Sequence, residues 1–454
     1  MVQWQPGVRR LERKPKAAKK IHAGPPLVLC GGFVVLILLG TLLLKLPFAS
    51  TQPIGWMQSL FTATSAVTVT GLVVVDTGSA FTLFGQLVIA LLIQLGGLGL
   101  MTFAVVTLLA LGGKIGFFQQ TIAKEAFNQT DMSTLVSTAK SVLWFSLIVE
   151  TIGILILTFY WAPELGWRTG LLHGFFYTIS AFNNAGFALS PDSLMPYVAD
   201  PVINLTITAL FITGGLGFSV WLELWRKRCW RKLSLYSRLM LTGTLLINVI
   251  ALLAIYWIEY DNPATLGALN NSGKWLAAWF QAVTPRTAGF NTLAIHELED
   301  ATTALTLLLM FIGGGSLSTA SGIKVVTFMV LVLATYSFLR RDGAVTAYAR
   351  TIPTSTVQKA LALTLISVGI TWIAIFLLLV TERAAFIDVV FEAVSALGTV
   401  GLSRGLTANL SPAGELIIIF LMFMGRLGPL TLAYFLASPR SRTIAYPESR
   451  LAVG

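Results

Sequence analysis

The chain has 454 residues, 55% of them hydrophobic and only 11% charged, with a mean hydropathy of +0.79. Soluble domains carry about a quarter charged residues, so a soluble protein is excluded, and apolar runs recurring along the whole length exclude a secreted chain or one with a single anchor. The formal charge of +11 suggests nucleic acid only until the charges are placed, because loops beside a membrane collect Lys and Arg for topological reasons.

In chain order, candidate spans are 27–44, 81–111, 142–161, 202–222, 239–258, 304–338, 361–380 and 415–436. Eight crossings put both termini on one side. Between alternate spans lie apolar stretches too short to cross, at 56–71, 172–186, 275–289 and 386–401, each ending at a glycine. These read as re-entrant half-helices. The expected fold is an all-α polytopic membrane protein of four repeated units, each a span, a pore half-helix and a span. The units are 25–111, 139–222, 238–338 (with a broken second helix) and 359–436, between a basic cytoplasmic tail at 1–24 and a C-terminal tail at 437–454.

The repeat is visible when the units are registered on the terminal glycines, which recur at a little over 100 residues. Ten residues before them stand Phe61, Phe176, Trp279 and Phe391; six before stand Ser65, Ser180, Val283 and Ser395; one after stand Leu72, Phe187, Phe290 and Leu402. A second element follows, its first glycine 24 to 28 residues after each terminal glycine: QLGGLGLMT from Gln94, ITGGLGFSV from Ile212, IGGGSLSTA from Ile312 and MGRLGPLT from Met424. Such clusters are read first as surfaces for close helix approach.

Charge placement tests the topology independently. Segments 1–24, 112–140, 223–240, 336–359 and 437–454 hold 23 of the 31 basic residues against six acids, whereas the opposite loops hold five bases and ten acids. The excess therefore marks the cytoplasmic face, and nucleic acid is not an expected partner. The tail RRLERKPKAAKK and the loop Arg226 to Lys232 are candidates for anionic lipid or a regulatory partner. Cys30 and Cys229 fall near this face, so no disulfide is expected, and His22, His173 and His296 are too scattered for a metal site.

A half-helix that turns back inside the membrane leaves unpaired carbonyls in its turn. Four such turns around one axis would form a ring of carbonyls able to replace the hydration shell of a monovalent cation. The ring would be built at Gly71, Gly186, Gly289 and Gly401, with the adjoining residues Thr70, Ala185, Ala288 and Val400. Asn183, Asn184 and Thr68 lie just before these glycines as second candidates. The sixth span is interrupted by a polar, glycine-rich stretch containing Gly313, Gly314, Gly315, Ser316, Ser318, Thr319, Ser321, Gly322 and Lys324, and cannot be one straight helix. Arg426 is a permanent charge at membrane depth, expected to face the conduit below the ring and oppose cations there. Glu150 is expected to bond a pore half-helix, and Arg286 and Glu392 to brace the ring. Asp388 is a further intramembrane charge.

The motifs TATSAVTVTGL, YTISAFNNAGFAL, AVTPRTAGFNTL and EAVSALGTVGLSRG resemble the Ktr/Trk/HKT superfamily of potassium transporters, and within it the bacterial Ktr-type membrane subunit, from about residue 25 nearly to the end. The resemblance implies potassium uptake across the bacterial plasma (inner) membrane, through one filter on a pseudo-fourfold axis built at the four glycines. It implies a homodimer and a cytoplasmic ring of nucleotide-binding regulatory subunits, with ATP or ADP on that partner and not on this chain. It makes 313–324 the intramembrane gate and points to the same barrier role for Arg426. Members preferring sodium often carry Ser at the first filter position, so Gly71 favours K⁺; a sodium requirement does not follow from these residues. The alternatives are a sodium-selective or non-selective channel of the same architecture and, remotely, an intramembrane protease, which lacks a paired Ser/His or Asp/Asp set here.

Overall fold

The computed structural model describes residues 25–98, 132–316 and 318–428. The basic tail with His22, the ends of the second and eighth spans, the segment 112–131, Leu317 and the C-terminal tail lie outside the described residues.

Within them the chain alternates long helices with half-helices. The half-helices are Trp56–Thr68, Trp167–Phe182, Asn271–Val283 and Phe386–Gly398. They are preceded by Pro25–Leu44, Met132–Leu165, Leu235–Ile258 and Thr354–Thr381 and followed by Leu83–Gly97, Pro201–Leu216, Asp300–Phe311 and Pro412–Leu427. The helix starts are written locally. Asp200 and Ser411 accept hydrogen bonds from the amides of Ile203 and Gly414 ahead of Pro201 and Pro412, which have no amide hydrogen to leave unpaired, and Asn270 caps the third half-helix through Gly273.

Lys140–Leu165, Leu235–Ile258 and Thr354–Thr381 are each long and apolar enough to cross a bilayer. Other expected spans coincide with shorter apolar helices, Cys30–Leu44, Leu83–Gly97, Asp300–Phe311 and Val325–Leu339. The outer helices present bulky apolar side chains such as Leu38, Trp144, Leu245 and Phe376 outward, as a lipid-facing surface requires. The half-helices lie inside, and Phe61, Phe176, Phe280 and Phe391 are fully buried among them.

Two sequence expectations need correction. The span read as continuous over 202–222 is broken: Gly217 has φ +97°, and Phe218–Lys227 leaves Pro201–Leu216 at 91°. The third half-helix is registered one residue too early. Its buried aromatic is Phe280 and its hydroxyl is Thr284, four apart like Phe61 and Ser65, because its turn to Gly289 is one residue shorter than the others. Trp279, only half-buried, instead donates from its indole to Thr208.

Glycine clusters do set close approach. A methyl group on Gly96, Gly214 or Gly425 would collide with the carbonyl of Val67, Phe182 or Leu397, in each case the fourth residue before that unit's ring glycine. The second helix of units one, two and four thus lies directly against the end of its own half-helix. Beyond the bend, Glu223 gathers the basic loop by accepting from Lys227, Ser234 and Ser237. Burial works against its charge, but these bonds outweigh it and hold its carboxyl down at about 2.

Candidate functional site

The four half-helix ends converge on one ring. Gly71, Gly186, Gly289 and Gly401 have φ of +92°, +67°, +78° and +93°, and two residues before them Val69, Asn184, Thr287 and Thr399 also have positive φ, between 50° and 70°. Val, Thr and Thr are β-branched, for which this conformation is a genuine outlier costing about 1–3 kcal/mol each. All four turns thus repeat positive φ at two positions separated by one residue. Sequence reading found the glycines but not these strained partners, and β-branched residues give no signal for positive φ.

The order of the ring is fixed by what surrounds each glycine. A side chain on Gly71 would strike the carbonyl of Ala185, one on Gly186 the Cα of Gly289 at 2.8 Å, one on Gly289 the carbonyl of Val400, and one on Gly401 the carbonyl of Thr70. Each turn abuts the next, and the fourth abuts the first. Thr70, Ala185, Ala288 and Val400 are completely buried. The turns are held from behind: Ser65 and Ser395 hydroxyls accept from the amides of Gly71 and Gly401, at 3.1 Å each. In the other two units the hydroxyl donates, Ser180 to the carbonyl of Phe187 at 2.8 Å and Thr284 to that of Phe290.

The residues 313–316 and 318–324 form a loop between Asp300–Phe311 and Val325–Leu339, with Gly313, Gly314, Gly315, Thr319 and Ser321 buried. A neck closes it, Gly313 N donating to the Ile323 carbonyl at 2.7 Å and Val325 N to that of Gly314 at 3.2 Å. The break at Gly217 leaves the carbonyls of Gly214 and Gly215 without their next-turn amides, and they accept from Thr319 and Gly315 at 3.3 and 2.8 Å. The Thr319 hydroxyl donates to Asn184 Oδ1 at 2.8 Å and to the Phe182 carbonyl at 3.2 Å, tying the loop to the second ring turn. Asn184 in turn donates to Thr287 of the third, at 3.4 Å. Within the loop Ser318 donates to Gly315 at 2.7 Å and Lys324 to Ala320 at 2.9 Å, and Ser316 N donates to the Tyr236 hydroxyl at 2.7 Å.

Arg426 is half-buried and joins this loop to unit one. Its Nη1 donates to the Thr319 carbonyl and to Ser321 Oγ at 3.1 Å; its Nη2 donates to the carbonyls of Gly96 and, at 3.0 Å, Gly97. Those carbonyls end the helix Leu83–Gly97, where the helix dipole favours a cation.

The remaining charges separate by role. Gln94, which sequence reading missed, donates to both oxygens of Glu150 at 2.8 and 3.1 Å and accepts from Asn183 at 2.7 Å, so Glu150 reaches the second half-helix through an amide. Glu392 accepts from Ser403 and from Thr407 at 2.7 Å, behind the fourth turn. Asp388 lies in the first turn of its half-helix and pairs with Arg404 at 2.8 Å. Thr68 donates back to Thr64 at 2.7 Å and shares a bond of 2.8 Å with Thr70. Arg286 makes no side-chain hydrogen bond or ion pair among the described residues.

A model of cation transport proteins, TrkH, matches residues 29–444. The chain belongs to the TrkH family of cation transport proteins. It is 48% identical over 97% of its length to the Ktr system potassium uptake protein B of Bacillus subtilis, of which it covers 99%, and 44% identical to that of Vibrio alginolyticus over 96% of each chain. The TrkH potassium transporter from Vibrio parahaemolyticus has the same fold: the crystal structure matches with a TM-score of 0.71 at 19% identity, covering 93% of this chain and 87% of that one. Within the family this chain is a TrkH/Ktr membrane subunit, a multi-pass helical protein of four repeats.

Proposed function

We propose that this chain is the ion-translocating subunit of a Ktr-type potassium uptake system in a bacterial plasma membrane, with both termini cytoplasmic. The observation that carries the reading is the closed order of the four glycine turns, one from each unit, with the carbonyls of Thr70, Ala185, Ala288 and Val400 each lying against a neighbouring turn's glycine. Such a ring suits a monovalent cation that sheds its water. The names of the two Ktr relatives give potassium as the ion. The units are bounded at 25–111, 139–222, 238–338 and 359–436.

In this reading Gly71, Gly186, Gly289 and Gly401, with Thr70, Ala185, Ala288 and Val400, form the selectivity filter. The loop 313–324 is the gate and Arg426 its electrostatic barrier, supported by their bonds to one another and to the second filter turn. The assembly is a homodimer on a cytoplasmic ring of nucleotide-binding subunits carrying ATP or ADP, for which the basic inner face is the docking side. Na⁺ is a second ion to test as cargo or activator.

The test is K⁺ uptake in cells lacking their own systems, with and without Na⁺. Gly71→Ser puts a side chain against the Ala185 carbonyl on left-handed backbone, a penalty of about 1–2 kcal/mol. By displacing the Ala185 carbonyl from the ring, the substitution should weaken K⁺ affinity roughly tenfold, about 1.4 kcal/mol, and lower the preference over Na⁺. Unchanged affinity and preference in both Gly71→Ser and Gly289→Ser would overturn the filter.

A further inference from the structure

Arg286 is a buried charge that the proposed transport path does not use and that has no side-chain partner among the described residues. It stands three residues before Gly289, is only 8% exposed, and its Nε is buried without a partner. A guanidinium has donors only, so nothing in its own chemistry compensates this charge. Three carboxylates at membrane depth are engaged elsewhere, Glu150 with Gln94, Glu392 with Ser403 and Thr407, and Asp388 with Arg404, and no carboxylate lines the cavity beside Arg286.

Arg286 borders a small cavity of about 20 Å³, room for one water-sized occupant, between the third turn, the second helix of unit two and the loop 313–324, lined also by Gly215, Gly314 and Thr244. Thr244 supplies an independent observation, because its hydroxyl is buried there and has no partner either. Two unsatisfied groups able to donate thus line one cavity whose other walls include Phe211 and Met240. A cavity with this donor set calls for an acceptor, and beside an unpaired guanidinium an anionic one.

We infer that this pocket binds a single small monovalent anion of the chloride class. Depth argues for a dissolved ion over a phospholipid phosphate: Thr244 lies nine residues into the helix Leu235–Ile258, roughly 14 Å along it at 1.5 Å per residue. The anion would cancel the positive charge beside the third turn and touch the loop at Gly314, so its presence couples to the ring and the gate together. This second consequence rests on the potassium-filter reading; the site itself does not.

The experiment is bromide anomalous diffraction on crystals of the full-length protein, with Arg286→Gln and Thr244→Val variants. The expected result is one bromide peak between the Arg286 guanidinium and the Thr244 hydroxyl, lost in Arg286→Gln and weakened in Thr244→Val. An empty or water-filled pocket in bromide, a peak that survives Arg286→Gln, or bromide-insensitive phosphate density would each overturn the inference, whichever variants fold. K⁺ uptake with chloride replaced by gluconate reads the coupling: apparent K⁺ affinity should weaken about fivefold in the natural chain and not at all in Arg286→Gln. A bromide peak with no anion effect on affinity would overturn the coupling; a bromide peak in a protein that passes no potassium would place the failure in the filter reading.

Discussion

Val69, Thr287 and Thr399 hold backbone that β-branched residues avoid, and they do so two positions before a ring glycine in three separate units. Strain repeated in register is maintained by its surroundings, here the Ser65, Ser395, Ser180 and Thr284 hydroxyls behind the turns. The glycines themselves were legible in the sequence because a residue that must both adopt positive φ and admit a neighbouring carbonyl leaves one choice. Arg426 was legible as a charge out of place, but its partners were not, since three are backbone carbonyls on distant segments. Those bonds make a sharp prediction. Arg426→Gln removes the charge and most of the donors that fasten the loop at Thr319 and Ser321, so K⁺ flux should rise about tenfold, a barrier lowered by about 1.4 kcal/mol. Normal expression with unchanged flux, measured by isotope uptake, would refute a barrier role.

At the scale of elements, the half-helices were found from their length and terminal glycines, and the interrupted sixth span from its composition. The bend at Gly217 escaped, because the apolar run continues through it and one glycine in a cluster of three looks like packing. Its physical purpose is visible only in three dimensions: it frees the Gly214 and Gly215 carbonyls for the loop. The shorter third turn escaped for a related reason, since registering on the glycine alone cannot detect one missing residue between helix and glycine. Gly217→Ala should therefore act at a distance. A side chain at φ +97° costs about 1–2 kcal/mol and favours straightening, which takes two acceptors from the loop. Lower thermal stability together with faster K⁺ flux is expected in proteoliposome assays, and a variant with lowered stability and unaltered flux would separate the bend from the loop.

For the whole molecule, the charge count that first suggested nucleic acid is read as a basic inner and an acidic outer side, and several acids of the expected outer loops are structural. Asp200 caps a helix, Glu382 accepts from Ser411, and Glu259, completely buried, accepts from Thr265, Asn262 and the amide of Glu299. The inner assignment can be checked with a native residue. Cys229 is free and exposed in the basic loop, whereas Cys30 is half-buried. In a Cys30→Ser background, a membrane-impermeant maleimide should label Cys229 in inside-out vesicles and leave it unlabelled in intact cells; the reverse pattern would invert the topology. The central claim is that four glycine turns enclose the cation. Anomalous diffraction from crystals soaked in thallium(I), a heavy stand-in for K⁺, tests it most directly. The account predicts thallium peaks on the axis bounded by Gly71, Gly186, Gly289 and Gly401, displaced by excess K⁺; thallium bound elsewhere, with that ring empty, would contradict it.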